Sequence, residues 1–83
     1  MRRLTKEDIK VGTQFEHMFG HNIYTIERFI RHYSDSSMCD VSYNHSDNGV
    51  TKKIILRDIF LSYKYCYLIQ GVIDLDGDDE GCI

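Results

Sequence analysis

From Thr13 to Ile69 the chain is written largely in alternating apolar and polar residues, the period-two mark of half-buried β-strands. The run TQFEHMF sets Thr13, Phe15, His17 and Phe19 against Gln14, Glu16 and Met18 and predicts a first strand. Gly20 to Asn22 supplies turn chemistry, because Gly and Asn accept the positive φ of tight hairpins. In IYTIERFIRHY, Tyr24, Ile26 and Ile30 fall on one parity and Ile23 and Phe29 on the other. That switch around Arg28 predicts a bulge or a strongly twisted long strand. A helix from Ile23 to Tyr33 also fits the spacing of Ile23, Ile26 and Ile30, but Tyr24-Thr25-Ile26 is β-prone and favours strand.

After a loop at Ser34 to Ser37, Cys39, Val41 and Tyr43 alternate with Asp40, Ser42 and Asn44. Asn48-Gly49 is the strongest hairpin signal in the chain, and Val50 to Ile55 returns as a fourth strand. The period then changes: Leu56, Ile59, Phe60 and Tyr63 recur at spacings of three and four, which predicts the buried face of a short helix. Cys66 to Ile69 reads as a last strand before Gly71. Near the start, Thr5 with Asp8 three residues on is a loose capping box that predicts one helical turn over Lys6 to Ile9, stopped by Gly12. The expected fold is mainly β, a small, strongly bent, five-stranded antiparallel barrel with a short helix before the last strand. Residues 1–71 form its single domain and residues 72–83 an acidic tail.

Composition adds bounds. At 83 residues the chain has room for one modest core, and its ten aromatic residues argue against disorder. No apolar run approaches the length of a membrane span, and Arg2-Arg3 leads into charged TKED rather than a signal-peptide segment, so a cytoplasmic protein is expected. Cys39, Cys66 and Cys82 lack the spacing of a disulfide framework or zinc knuckle, and are expected as reduced thiols. Residues 1–73 hold ten Lys and Arg against eight Asp and Glu, a net of +2, whereas residues 74–80 add five acids and no base. An even body of this kind lacks the basic surface that binding nucleic-acid phosphate usually requires.

Four constellations carry candidate chemistry. His17 and His21 have metal-pair spacing, but the pattern puts them on either limb of a turn, so no metal or other cofactor is expected. Cys39, His45 and Asp47 have the residue types of a nucleophile, base and orienter, yet six strand residues separate Cys39 from His45 by roughly 20 Å. Without paired carboxylates in the body, a phosphate-cradling glycine loop or a nucleophile elbow, a non-catalytic protein is expected. Lys52, Lys53, Arg57, Lys64 and Tyr65 lie close in sequence among six tyrosines and outline an alternative nucleic-acid-binding face. Last comes the acidic cluster of Asp74, Asp76, Asp78, Asp79 and Glu80. It fails as a calcium loop, because Gly77 takes the fourth position and a twelfth would lie beyond Ile83. It remains a candidate contact for a basic partner site, set against the plainer reading of a solvated tail.

The succession DIKVGTQF, YTIERFI, CDVSYN and KKIILRDIF, over roughly residues 8–69, resembles the SH3-like small barrels of phage and bacterial accessory proteins. That resemblance implies a small inhibitor or accessory protein, one that occupies a basic site on a host nucleic-acid-handling complex through protein–protein contact. The alternative is a nucleic-acid-binding regulator using the face around Lys52 to Tyr67.

Overall fold

The computed structural model describes residues 2–71; the five tail carboxylates and Cys82 lie outside them. Five strands follow in chain order: β1 (Gln14–His17), β2 (Ile23–His32), β3 (Ser36–Asp47), β4 (Val50–Ser62) and β5 (Cys66–Gln70). They form one open antiparallel sheet in the order β4-β3-β2-β1-β5, so the last strand returns beside the first. The mainly β class and the five antiparallel strands agree with the sequence pattern.

Among the described residues helix is confined to two 3-10 turns, Lys6–Asp8 and Tyr63–Tyr65. The first sits where Thr5 and Asp8 place it: the Thr5 N–H donates to Asp8 Oδ2 at 2.8 Å, and Arg2 clamps the same carboxylate at 2.6 and 2.7 Å. These donors, led by Arg2, lower the Asp8 pKa from its ordinary 3.8 to about 2.

The short helix expected over Leu56 to Tyr63 is corrected by the structure. Leu56 to Ser62 continues β4, and only the Tyr63–Tyr65 turn precedes β5. A bulge explains the helix-like spacing. Val41 pairs with Leu56 and Cys39 with Ile59, so Arg57 and Asp58 together stand opposite Asp40. The inward series Ile54, Leu56 thereby resumes as Ile59, Leu61 after a step of three instead of two. Asp58 takes a left-handed φ of 55° at this point.

The buried Asp40 holds the bulge together. Its Oδ1 accepts the Asp58 N–H at 2.9 Å, while Oδ2 accepts Arg28 Nε at 2.9 Å and has Arg57 at 3.6 Å. The Asp58 amide first, then Arg28, keeps this carboxyl below the usual carboxylate range. β2 is strand throughout, with register shifts at Ile26/Arg28 and Phe29/Arg31, the first where the apolar parity switches. β1 is shorter than the alternation suggests, ending at His17, because the chain turns there: the Gly20 N–H closes back on His17 C=O at 3.0 Å.

Leu4, Ile9, Phe15, Ile26, Cys39, Val41, Leu61 and Cys66 form the core. Phe15 stacks on Tyr24 at 5.4 Å, and Tyr24 meets the edge of Tyr43 at 5.6 Å, so half-buried tyrosines extend the core toward the surface. The two sheet edges differ. Along β5, Leu4 N–H donates to Cys66 C=O and Leu68 N–H to Arg2 C=O, each at 2.9 Å, so residues 2–4 cover that edge. β4 has β3 on one side and no strand on the other among the described residues. Beyond the reach of β2, Asn44–Asp47 and Val50–Lys53 pair only with each other as an exposed ribbon. Asn48 (φ 52°) and Gly49 (φ 80°) make its turn, as that dipeptide predicts.

Candidate binding surface

The tight turn after β1 drives Met18 and Phe19 outward. Met18 N–H donates to Tyr65 C=O at 2.9 Å, which ties this turn to the 3-10 turn before β5. Phe19, 76% exposed, lies 5.6 Å from the His17 ring and 5.7 Å from that of Tyr65, and Lys64 Nζ stands 5.0 Å from the Tyr65 centroid. His17 is therefore the inner member of an aromatic trio whose outer ring, Phe19, is exposed while His17 and Tyr65 are half-buried.

His17 also borders a groove of about 180 Å³ lined by core and β4 residues, among them Phe15, Tyr24, Leu56, Ile59 and Phe60. The groove opens because β4, at the end of an open sheet, does not seal against β1. Phe60 at its margin is 60% exposed and lies 5.4 Å from Tyr33. An apolar band thus runs from Phe19 and Tyr65 through His17 and the groove to Phe60 and Tyr33. Large exposed apolar side chains grouped around an apolar groove in this way mark interaction sites.

The alternative nucleic-acid residues are dispersed by the fold. Lys64 and Tyr65 join Phe19, but Lys52 and Lys53 stand on the ribbon and Arg57 at the bulge. Lys53 is paired with Glu27 at 3.0 Å, and Arg57 faces Asp40, so both cations are already partly answered. The Ser42 hydroxyl at 2.6 Å, then Lys53, holds the Glu27 carboxyl low. The tail candidates Asp74, Asp76, Asp78, Asp79 and Glu80 lie outside the described residues.

His17 and His21 do line one depression, together with Glu16, Met18, Gly20 and Tyr67. His17 Nδ1 is engaged there by the Phe19 N–H at 3.2 Å, and no three metal-ligating side chains gather among the described residues. Cys39 and His45 share β3, Cys39 buried in the core and His45 exposed on the ribbon, so they do not meet. Burial pushes the Cys39 and Cys66 thiols up to about 11, away from nucleophilic thiolate.

One constellation escapes the sequence pattern. His32 Nδ1 lies 2.8 Å from Ser37 Oγ, which lies 2.6 Å from the Tyr63 hydroxyl. In residue types this is a base beside a nucleophile, but Ser37 is fully buried and its hydroxyl is taken up by both neighbours. The arrangement fastens β2, β3 and the Tyr63–Tyr65 turn to one another. Tyr63 is 26 residues from Ser37, and nothing in the spacing of the three announces the contact.

No family model, characterised protein or solved structure matches the chain.

Proposed function

We propose that this chain is a small, non-catalytic binding protein that acts by protein–protein contact through the aromatic band between Phe19 and Phe60. The observation that carries the reading is the exposure of large apolar rings around an open groove, on a domain small enough that burying them would have been the cheaper use of its sequence. Five antiparallel strands with one helical turn before the last support the SH3-like small-barrel reading. With it comes the more specific proposal of a phage or mobile-element inhibitor of a host nucleic-acid-handling complex. In that version the carboxylates of residues 74–80 meet a basic site on the partner and speed encounter.

Affinity capture from a host lysate with the wild-type chain and with a Phe19→Ala/Phe60→Ala variant tests the reading. Both rings are exposed, so the variant should fold, and a partner held by the band should be lost with it. Equal capture by both proteins would refute the assignment of the band.

A second reading, a nucleic-acid-binding regulator, draws on Lys64, Tyr65 and Phe19, where a cation lies over the half-buried Tyr65 ring beside the exposed Phe19, rings of the kind on which bases stack. Retention on an immobilised single strand at low salt, lost as salt rises, would favour it.

A further inference from the structure

We propose that the free edge of β4 takes up an extended segment of a partner protein as an added strand, its apolar end entering the groove and its acidic end lying along Lys52 and Lys53. The inference rests on the binding-protein reading and names the chemistry of the partner. Strand addition needs an uncovered edge, and among the described residues β4 supplies one, whereas the β5 edge is covered by residues 2–4. The bulge at Arg57 and Asp58 limits the straight run to Val50–Leu56. Leu56, at the end of that run, is itself part of the groove wall.

A volume of about 180 Å³ takes one large apolar side chain, since a cavity of roughly 150 Å³ accommodates a benzene ring. In an antiparallel added strand, the residue opposite Leu56 is that anchor, and the one opposite Ile54, two positions later, shares its face. The next two residues stand opposite Lys53 and Lys52. Lys52 meets no carboxylate among the described residues, and Lys53 has only Glu27. The recognised pattern is therefore apolar, any residue, apolar, acidic, acidic. The same two lysines disfavour a second copy as occupant, because like charges at a free edge oppose edge-to-edge pairing.

The test titrates the full chain with a capped peptide of alternating leucine and threonine ending in two glutamates, and with a twin ending in two lysines. Amide exchange and chemical shifts are followed in β4. The glutamate peptide should slow exchange between Thr51 and Leu56 and bind about tenfold more tightly than its twin, as two partly exposed charge pairs allow. Lys52→Glu with Lys53→Glu should reverse that preference. Equal binding of the two peptides, or none, overturns the proposal. So does protection, before any peptide is added, of the β4 amides that point away from β3; concentration dependence of that protection would identify a second copy as occupant, and its absence the chain's own C-terminal residues. If a captured partner depends on Phe19 and Phe60 yet leaves the outward-facing β4 amides unprotected, strand addition fails while the band reading stands.

Discussion

Replacing Asp8 by Asn removes one charge from the first turn while keeping its shape, and the structure sets the size of the effect. Asp8 accepts from both Arg2 guanidinium nitrogens and from the Thr5 backbone and hydroxyl, which lowers its pKa from 3.8 to about 2. At about 1.4 kcal/mol per unit this corresponds to at most ~2.5 kcal/mol. The Arg2 side chain is 57% exposed, so solvent screening reduces the expected loss to about 1 kcal/mol. For a domain of this size that is a fall in Tm of roughly 4–8 °C at neutral pH.

The sign of the pH dependence follows from a depressed folded-state pKa. The Asp8 contribution is complete above the unfolded value near 4, declines as pH falls, and is gone below about 2. Urea unfolding of wild type and Asp8→Asn at pH 7, 4 and 2 should show a gap of about 1 kcal/mol that shrinks through this window and closes at the lowest pH. Taking the difference between the two proteins cancels the titration of Asp40 and Glu27, whose pKa values are also lowered. A gap that persisted unchanged at pH 2 would assign the loss to altered packing instead of charge, and no gap at pH 7 would remove Asp8 from the stabilising contacts altogether.

Further outcomes are expected at other sites. Ile26, fully buried between β1 and β3, should cost about 2–5 kcal/mol when cut to Ala, whereas Phe60→Ala should stay within about 0.5 kcal/mol by urea unfolding. Asp40→Ala should open the bulge, seen as faster amide exchange at Asp58 and a larger loss of stability than Asp8→Asn produces. Cys39 and Cys66, with thiols pushed up to about 11, should resist alkylation at pH 8 until the protein is unfolded; rapid labelling of the native chain, read by peptide mass spectrometry, would contradict their burial. Neutralising Asp76, Asp78, Asp79 and Glu80 should slow association with a basic partner at low salt and matter little at high salt, and an unchanged association rate would leave the cluster a solubilising tail.

Local chemistry was the legible part of this fold. Asn48-Gly49 announced the β3–β4 hairpin, the parity switch near Arg28 announced the β2 bulge, and Thr5 with Asp8 announced the first turn. Leu56 to Tyr63 misled because a bulge inserts one residue into a strand, and a single three-residue step between apolar positions is the same whether it comes from a helix or from Asp58. That ambiguity is resolved only by Asp40, eighteen residues earlier. Pairings over long separations were silent for the same reason: residues 2–4 cover β5 through backbone groups, which every residue type carries alike. Of the candidate site, Tyr65 and Lys64 were singled out beforehand, but Phe19 and Phe60 read as ordinary positions in an alternating and an amphipathic run. Their exposure depends on where β1 ends and how β4 bends.

The β3–β4 hairpin also bears on the order in which the molecule assembles. Its partners run from Asp47 and Val50 outward to Ser36 and Ser62, so each new pair closes a loop barely longer than the last. β1 and β5, by contrast, must meet across about fifty intervening residues, which imposes a far larger search before any contact is rewarded. The hairpin is therefore placed to act as the folding nucleus, and the joining of first and last strands as the late step. In kinetic terms, weakening the Asn48-Gly49 turn should slow folding, whereas weakening the β1–β5 contact should chiefly hasten unfolding. The surface from Phe19 to Tyr65 straddles that late contact, so it would be among the first parts of the molecule lost in a partial opening.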